Sequence, residues 1–337
     1  MTITKSLVYP KLTSLKNLLL NVEDFYDLQI LLKVGARELE SHINKPIYNS
    51  FQIPKKKGGF RKILSPNDDL LQIQKQLNLY FQAIYLLVKP TNVHGFIAKP
   101  KGYEINHSIM SNAFVHTNKK HVLNIDLKDF FPSISASRVR KVLVNHIGLN
   151  DNQIADAIAL LCTYQKSLPV GAPTSPVLAN FTCLDLDKEL LSYCSLYDIT
   201  YTRYADDLTF SSQDYFNSET IKFIRSIIDK HHFIINEKKF RLLSSQSKQT
   251  VTGITVNEKL NVSRVYIRNI RAILHNIKIA GIEAATKKHY KVVFADSLLQ
   301  KKLVSKLNGQ IDFVGQVRGK EDVIYNKLKS SYLSISR

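Results

Sequence analysis

Cysteine is scarce in this sequence, which has only Cys162, Cys183 and Cys194 among its 337 residues. Their spacing is neither that of a metal-binding motif nor that of the disulfide framework of a small secreted domain. We therefore expect three reduced thiols, buried or idle. Since disulfides persist in oxidising compartments, we also expect a cytoplasmic protein.

Long hydrophobic runs are absent as well. No apolar stretch approaches the roughly 20 residues that a membrane-spanning helix requires, and the short run at 84–88 is typical of a core helix. The segment 1–24 lacks the clear apolar stretch of a signal peptide. The sequence therefore predicts no transmembrane segment.

Acidic residues are few, with 28 Asp and Glu against 47 Lys and Arg, which gives a net charge of +19 at pH 7. Such an excess repels itself, so a polyanionic partner is expected: nucleic acid first, an anionic membrane second. Hydrophobic residues make up 44% of the chain, which is enough for an ordinary core and argues against wholesale disorder.

The positive charge is concentrated near the C-terminus, where residues 255–337 hold sixteen Lys and Arg against six Asp and Glu. Arg264, Arg268 and Arg271 share one face of a predicted helix. A solvated helix face is the common explanation for such spacing. The size of the local excess instead favours contact with nucleic acid.

Segments with the hydrophobic periodicity of helices occur along the chain together with segments that have the periodicity of strands, which predicts an α+β protein. Helices are expected at 13–45, 70–88, 135–148, 150–164, 177–196, up to about 232, and through the basic remainder. Strands are expected in hairpins at 48–66 and 199–212, at 121–126, at 233–236 and around 251–256.

The first hairpin has Gly58-Gly59 at its predicted tip, surrounded by five cations: Lys55, Lys56, Lys57, Arg61 and Lys62. A solvated turn would explain any one of them. Five like charges raise the free energy of the tip unless an anion binds there, so a phosphate-binding fingertip is the second interpretation.

Three acids form the most informative pattern. Asp126 ends an apolar strand, and Asp206 and Asp207 lie at the turn of an apolar hairpin. Carboxylates brought together in such surroundings raise each other's pKa and need a counter-charge. Because the sequence has no His/Cys cluster, hard divalent cations fit best, with Mg²⁺ first. Two such ions could clamp the oxygens of a phosphoryl displacement. For Asp206 and Asp207 taken without Asp126, the simpler explanation is a turn with two exposed acids.

The segment Tyr204-Ala205-Asp206-Asp207 resembles the YxDD box of reverse transcriptases. The resemblance extends from about 48 to 275 and includes, in the family's order, FRKILSP (60–66), IDLKDFF (125–131), LPVGAPTSP (168–176), FIINEKKF (233–240) and VTGITV (251–256). The YADD box alone is only moderately specific. Six motifs in order make the resemblance strong.

Two further segments resemble retron reverse transcriptases in particular: the NAxxH pattern at 112–116 and the VTG pattern at 251–253. The resemblance implies a right-hand polymerase with N-terminal helices and fingers at 1–110, a palm at 111–256 with a helical fingers insertion at about 136–165, and a basic helical thumb at 257–337. It implies RNA-directed DNA synthesis from dNTPs on a structured non-coding RNA (msr-msd). It further implies priming from an RNA 2′-hydroxyl to give branched RNA–DNA (msDNA), an effector protein, a role in anti-phage defence and no membrane partner.

The resemblance also implies roles for individual residues. Asp126, Asp206 and Asp207, with the main-chain carbonyl of Leu127, would ligate two Mg²⁺ ions, for which Mn²⁺ could substitute. The residues expected to contact the nucleotide are Lys57 and Arg61 at the triphosphate, Phe131 under the sugar as a gate against ribonucleotides, Gly171, and Lys239 at the leaving pyrophosphate. Lys55 or Lys56 could replace Lys57, and Lys238 could replace Lys239. Phe130 is expected in the core.

Val170 departs from the family pattern, since many relatives have glutamine there. Valine cannot form that side chain's hydrogen bond, so fidelity or nucleotide affinity could differ, while the intact aspartates argue against loss of activity.

RNA contacts are expected from the retron segments and the basic helix: Asn112, His116, Val251, Thr252, Gly253, Arg264, Arg268 and Arg271. Asn112 and His116 could instead pair with each other in the core, and Val251–Gly253 could be a plain strand and turn. Two other classes stay open, another bacterial reverse transcriptase (maturase-like or abortive-infection type) and a catalytically idle RNA-binding scaffold of the same fold.

Overall fold

The computed structural model describes residues 3–55, 58–99 and 107–335. The chain forms two compact units, one of Met1–Ser108 and His121–Leu242 and the other of Ile109–Lys120 and Leu243–Arg337. These units follow other boundaries than the three domain ranges expected from the sequence, which stay predictions.

The first unit is built on a four-stranded sheet with the strand order β4-β5-β3-β6, in which β5 pairs antiparallel with both β4 and β3. Its strands are β3 (His121–Asp126), β4 (Thr200–Tyr204), β5 (Asp207–Ser212) and β6 (Arg241–Ser244), and the last continues the chain into the second unit. The hairpin predicted at 199–212 is confirmed as β4 and β5. Apolar residues of β3 and β5 lie in the main buried cluster with helix residues, which fixes the sheet against the core.

The predicted hairpin at 48–66 is also confirmed, as β1 (Tyr48–Pro54) and β2 (Phe60–Pro66) in antiparallel register. The tip glycines adopt positive φ, +91° at Gly58 and +78° at Gly59, which suits a tight turn. The next helix, α4 (Asp68–Val88), begins where the side chain of Asn67 accepts a hydrogen bond from the Leu70 amide.

The helical structure expected at 13–45 is confirmed, but it is divided among three helices by two breaks. The segment forms α1 (Ile3–Leu20), α2 (Phe25–Leu32) and α3 (Ala36–Asn44). The breaks have local causes: Asp24 caps α2, and Lys33 adopts a left-handed conformation with φ 57°. Apolar periodicity continues through both breaks, which concealed them.

The remaining helices of this unit are α6 (Ala136–Val142), α7 (Asn152–Cys162), α8 (Ser175–Thr182), α9 (Leu184–Leu196) and α10 (Ser218–Lys230), with a π-helical turn at Leu143–Ile147. The helix expected at 177–196 is therefore two helices that meet at Cys183. The three cysteines are free and buried, as expected.

The strand expected at 233–236 is wrong. Ile235 makes one isolated bridge to Leu127, and a 3₁₀ turn follows at Glu237–Lys239. The pairing is interrupted because the chain turns immediately, so that the amide of Lys239 donates to the carbonyl of Asn236 at 2.9 Å.

The second unit combines α5 (Ile109–Phe114), the short hairpin of β7 (Thr250–Val251) and β8 (Ile254–Thr255), and three helices. These are α11 (Arg264–Tyr290), α12 (Ser297–Arg318) and α13 (Val323–Leu333), so the predicted helical remainder is confirmed. Gly281 interrupts α11 with φ 77° and ψ 167°.

Within the described ranges, no helix has both the length and the apolar content needed to cross a membrane.

Candidate active site

The sheet of the first unit brings the three candidate acids together. Asp126 ends β3 and Asp207 begins β5, and the two residues are direct partners in the antiparallel register. The amide of Leu127 donates to the carbonyl of Asp206 at 2.9 Å, which ties the turn between β4 and β5 to the end of β3. The strand pairing therefore places all three aspartates at one edge of the sheet.

Burial and mutual proximity raise the pKa values of Asp206 and Asp207. Desolvation, followed by the charge of Asp126, raises the pKa of Asp206 above its ordinary value. Although part of Asp207 reaches solvent, desolvation of its carboxyl and the charges of Asp206 and Asp126 raise its pKa to about 7. The cluster thus carries an unfavourable concentration of negative charge that a cation would relieve.

Lys239 supplies a positive charge at this cluster. Its Nζ lies 2.5 Å from Oδ1 of Asp126, while the side-chain amide of Asn236 donates to Oδ2 at 3.0 Å. Desolvation lowers the pKa of Lys239, but its hydrogen bond to Asp126 and the charges of the three aspartates together outweigh that effect, and the net pKa is raised. The 3₁₀ turn that follows the isolated bridge at Ile235 brings this lysine to the acids.

The donor set matches the chemistry of a hard divalent cation, because it consists of carboxylates and a neighbouring main-chain carbonyl. As the side chains stand, no group of three or more His, Cys, Asp or Glu residues in the described ranges is arranged so that it could hold a metal ion. The Lys239 ammonium is paired with Oδ1 of Asp126, one of the candidate donor atoms.

A buried ion pair supports the turn that carries Asp206 and Asp207. Arg203 and Asp187 are both 0% exposed, and the Arg203 guanidinium donates to both carboxylate oxygens at 2.7–3.1 Å. Tyr201 donates its hydroxyl to Asp187 at 2.8 Å, and Asn180 accepts from Nη1 of Arg203 at 2.9 Å. The same Nη1 donates to the carbonyl of Ala205 at 3.2 Å, inside the turn.

The segment 92–96 packs against the same turn. The amide of Arg203 donates to the carbonyl of Asn92 and the amide of His94 to the carbonyl of Arg203, each at 2.9 Å. A Cβ on Gly95 would lie 2.5 Å from the Ala205 nitrogen, so only glycine allows this approach.

Sequence reasoning missed this support. Asp187 and Arg203 are 16 residues apart on different elements, and nothing in the sequence pairs them. The one available signal was a charged residue in the middle of an otherwise apolar-alternating strand, since such a side chain must find a buried partner.

The cationic fingertip is only partly described. Lys57, expected at the triphosphate, lies outside the described residues, as does Lys56. Arg61 is exposed on β2, and its positive charge opposes the rise in the pKa of Asp206. Arg61 is therefore electrostatically coupled to the acid cluster.

The loop of Val170 and Gly171 packs on β2. The Leu64 amide donates to the Val170 carbonyl at 2.8 Å. Gly171 has φ +127°, and a Cβ there would lie 2.8 Å from the Leu64 carbonyl oxygen. The close approach that glycine permits here is to β2, while its contact with a nucleotide stays a prediction.

Phe130 and Phe131 differ in burial as expected. Phe130 is 5% exposed and belongs to the core, which confirms that expectation. Phe131 is half-buried, with its ring 5.7 Å from that of Phe96. Its accessible face is compatible with a sugar contact, and its role as a gate stays a prediction.

The two retron-like segments meet in the second unit. The hydroxyl of Thr252 donates to the carbonyl of Ile109 at 3.1 Å, which joins the β7–β8 turn to α5. Asn112 and His116 are 0% exposed. Within the described residues the Asn112 amide has no hydrogen-bond partner, so the alternative of an Asn112–His116 pair is not observed.

The basic residues of α11 are arranged as the helical period predicts. Arg264, Arg268 and Arg271 are exposed, while Ile267 and Ile270 are buried on the opposite side. A cavity of about 390 Å³ between α11 and α13 is lined by Arg271, His275, Lys278 and Lys327, among other residues.

Comparison of the sequence with known proteins finds matches that include the strands carrying the three aspartates. Residues 53–256 match the family described as reverse transcriptase (RNA-dependent DNA polymerase). The chain is 35% identical over 247 residues to the Retron Mx65 reverse transcriptase of Myxococcus xanthus (68% of this chain, 55% of that one). It is 39% identical over 180 residues to the Retron Ec86 reverse transcriptase of Escherichia coli (52% and 55%). A third relative, the Retron Ec73 reverse transcriptase of Escherichia coli, is 31% identical over 268 residues (72% and 79%). The chain thus spans about half the length of the first two relatives.

Proposed function

The chain belongs to the reverse transcriptase family, among its retron members, and from this premise we propose that it copies a structured non-coding RNA into DNA. The observation that carries the proposal is the register of β3 and β5, which pairs Asp126 with Asp207 next to Asp206. A sheet edge with three crowded acids suits nucleotidyl transfer, because that reaction needs cations held beside a triphosphate.

Reverse transcriptases generally use divalent metal ions. In the proposal, Asp126, Asp206, Asp207 and the Leu127 carbonyl hold two Mg²⁺ ions, with Mn²⁺ able to replace them. When bound, the ions would lower the pKa of the attacking hydroxyl and stabilise the departing pyrophosphate.

The chain's own residues then bind and orient the nucleotide. Arg61 and Lys57 would bring positive charge to the triphosphate, and the Lys239 ammonium, now paired with Asp126, would bind the pyrophosphate. Phe131 lies under the sugar. Val170 and Gly171 line the nucleotide without a side-chain hydrogen bond.

The partners proposed are the non-coding RNA of the same locus, its DNA product and a retron effector protein acting in anti-phage defence. The net charge of +19 favours a polyanion. Arg264, Arg268 and Arg271 would contact RNA phosphates directly. Asn112, His116 and Val251–Gly253 would shape the surface around them, since most of these side chains are buried.

Primer extension on an RNA template with Mg²⁺ tests the central claim. Asp206→Asn should lower extension by about a thousandfold, since charge stabilisation by metal ions is worth several kcal/mol, and should leave RNA binding nearly intact. Asp229→Asn, an exposed acid on α10, is the matched control and should extend normally.

Normal extension by Asp206→Asn would show that the metal assignment is wrong. A wild-type protein that binds RNA and extends no primer would favour the idle scaffold. Incubation of the protein with RNA transcribed from its own locus distinguishes a retron reverse transcriptase from other bacterial reverse transcriptases. A DNA product joined to RNA through a 2′-hydroxyl is expected, and a product primed only from a 3′ end would favour the maturase-like alternative.

A further inference from the structure

The turn that carries Asp206 and Asp207 has a strained backbone. Ala205 has φ +59°, in the left-handed region that non-glycine residues rarely adopt. Such a conformation persists only where the surrounding contacts impose it. The contacts here come from Arg203, from the segment 92–96 and from the Leu127 amide.

Arg203 is the centre of these contacts. Its main-chain amide donates to the Asn92 carbonyl, and its main-chain carbonyl accepts from the His94 amide. Its guanidinium is fixed by Asp187 and Asn180 and donates onward to the Ala205 carbonyl. A rigid, fully buried fork therefore connects the core to the peptide immediately before Asp206.

We propose that Arg203 is a positioning residue for the catalytic aspartates: by holding the Ala205 carbonyl it sets the direction of the Asp206 and Asp207 carboxyls. The inference rests on the proposed function, because it assigns the turn a task in nucleotidyl transfer. Asp187 and Asn180 belong to the same device, since they fix the guanidinium that holds the turn.

A plain core ion pair would be a weaker explanation of this arrangement. Buried ion pairs contribute little net stability compared with apolar packing of the same volume. One of the acceptors that the buried guanidinium needs is the Ala205 carbonyl, so the ion pair is joined directly to the aspartate turn.

Arg203→Lys is the decisive variant. It keeps the positive charge beside Asp187, so the buried acid stays compensated, but a lysine lacks the planar fork that reaches Asp187, Asn180 and Ala205 together. Loss of a residue that orients metal ligands typically costs about 10- to 100-fold in activity or metal affinity. We expect the kcat of primer extension to fall by that factor, with the KM for dNTP unchanged within about twofold.

A second readout needs no substrate. Binding of Mn²⁺ to the protein, followed by electron paramagnetic resonance, should weaken by about tenfold in Arg203→Lys. Arg138→Lys is the matched control, because Arg138 is a partly buried arginine of the same unit that donates to the carbonyls of His231 and His232. It should keep both kcat and Mn²⁺ affinity.

Asn180→Ala is a second variant, which keeps the test decisive if Arg203→Lys does not fold. It leaves the Arg203–Asp187 pair intact and removes the acceptor that fixes Nη1, together with the side-chain donor to the carbonyls of Gly95 and Phe96. The same joint loss of kcat and Mn²⁺ affinity, smaller in size, is expected. Folded variants at either position with wild-type kcat and Mn²⁺ affinity would overturn the proposal. If the wild type binds Mn²⁺ but extends no primer, the proposed function fails while the Mn²⁺ comparison still decides the role of Arg203.

Discussion

At the residue scale, Lys239 and Phe131 illustrate what single side chains contribute to the site. Lys239 lies 2.5 Å from Asp126 and provides the acid cluster with a counter-charge from within the chain. Phe131 presents one half-buried ring beside the strand end that carries Asp126. Both residues were expected from the FIINEKKF and IDLKDFF motifs. The partner of Lys239 became visible only in the folded chain.

The proposed role of Phe131 as a gate against ribonucleotides can be tested by substitution. Phe131→Ala should admit ribonucleotides, because removal of the ring makes room for a 2′-hydroxyl. The ratio of kcat/KM for dNTP over rNTP should fall by roughly 10- to 200-fold, the range for a group that a pocket rejects by fit. Single-nucleotide incorporation kinetics measure this ratio.

Phe130→Leu is the control for that experiment, because Phe130 is a core residue whose loss should reduce stability and leave sugar selection as it is. Unchanged discrimination in Phe131→Ala would remove Phe131 from the role of gate.

At the scale of elements, both hairpins were predictable because their strands alternate and their turns have suitable residues. The breaks in the 13–45 segment and the bridge at Ile235 were not, since the apolar pattern runs through them. The Arg203–Asp187 pair was also out of reach, because only the packing of α9 against β4 brings the two charges together. The three aspartates could be found because strand ends and turns are readable from sequence.

The loop at 168–176 depends on its docking to β2, and Gly171 tests this. Gly171→Ala should destabilise the protein by about 1–3 kcal/mol, because it adds a strained φ and a Cβ 2.8 Å from the Leu64 carbonyl oxygen. Urea unfolding measures the change. Gly148→Ala is matched, since Gly148 has φ +93° but only a 3.9 Å contact with Leu20. Equal losses in the free energy of unfolding for the two variants would show that the contact with β2 is unimportant.

At the scale of the whole molecule, the excess of positive charge is expected to determine how the proposed association with RNA depends on salt. Each phosphate contact adds to the steepness with which affinity falls as salt rises. Replacement of Arg264 and Arg268 together by alanine should weaken RNA binding and reduce the slope of log K against log salt by roughly 1–2. Filter binding over a range of salt concentrations measures the slope.

The matched control removes the same charge elsewhere. Arg140→Ala with Arg225→Ala lowers the net charge equally, but both arginines are paired with acids, Asp156 and Glu237. A slope in the Arg264/Arg268 variant equal to that of the wild type would count against the α11 surface.

The second unit is discontinuous in sequence, since Ile109–Lys120 packs with Leu243–Arg337 while the chain between them belongs to the first unit. The hydrogen bond from Thr252 to Ile109 and that from the Gln249 side chain to the Lys120 carbonyl link the two segments. A chimera that exchanges only the C-terminal part between two relatives would therefore join mismatched halves. A graft of this unit from one relative into another should therefore carry both stretches together.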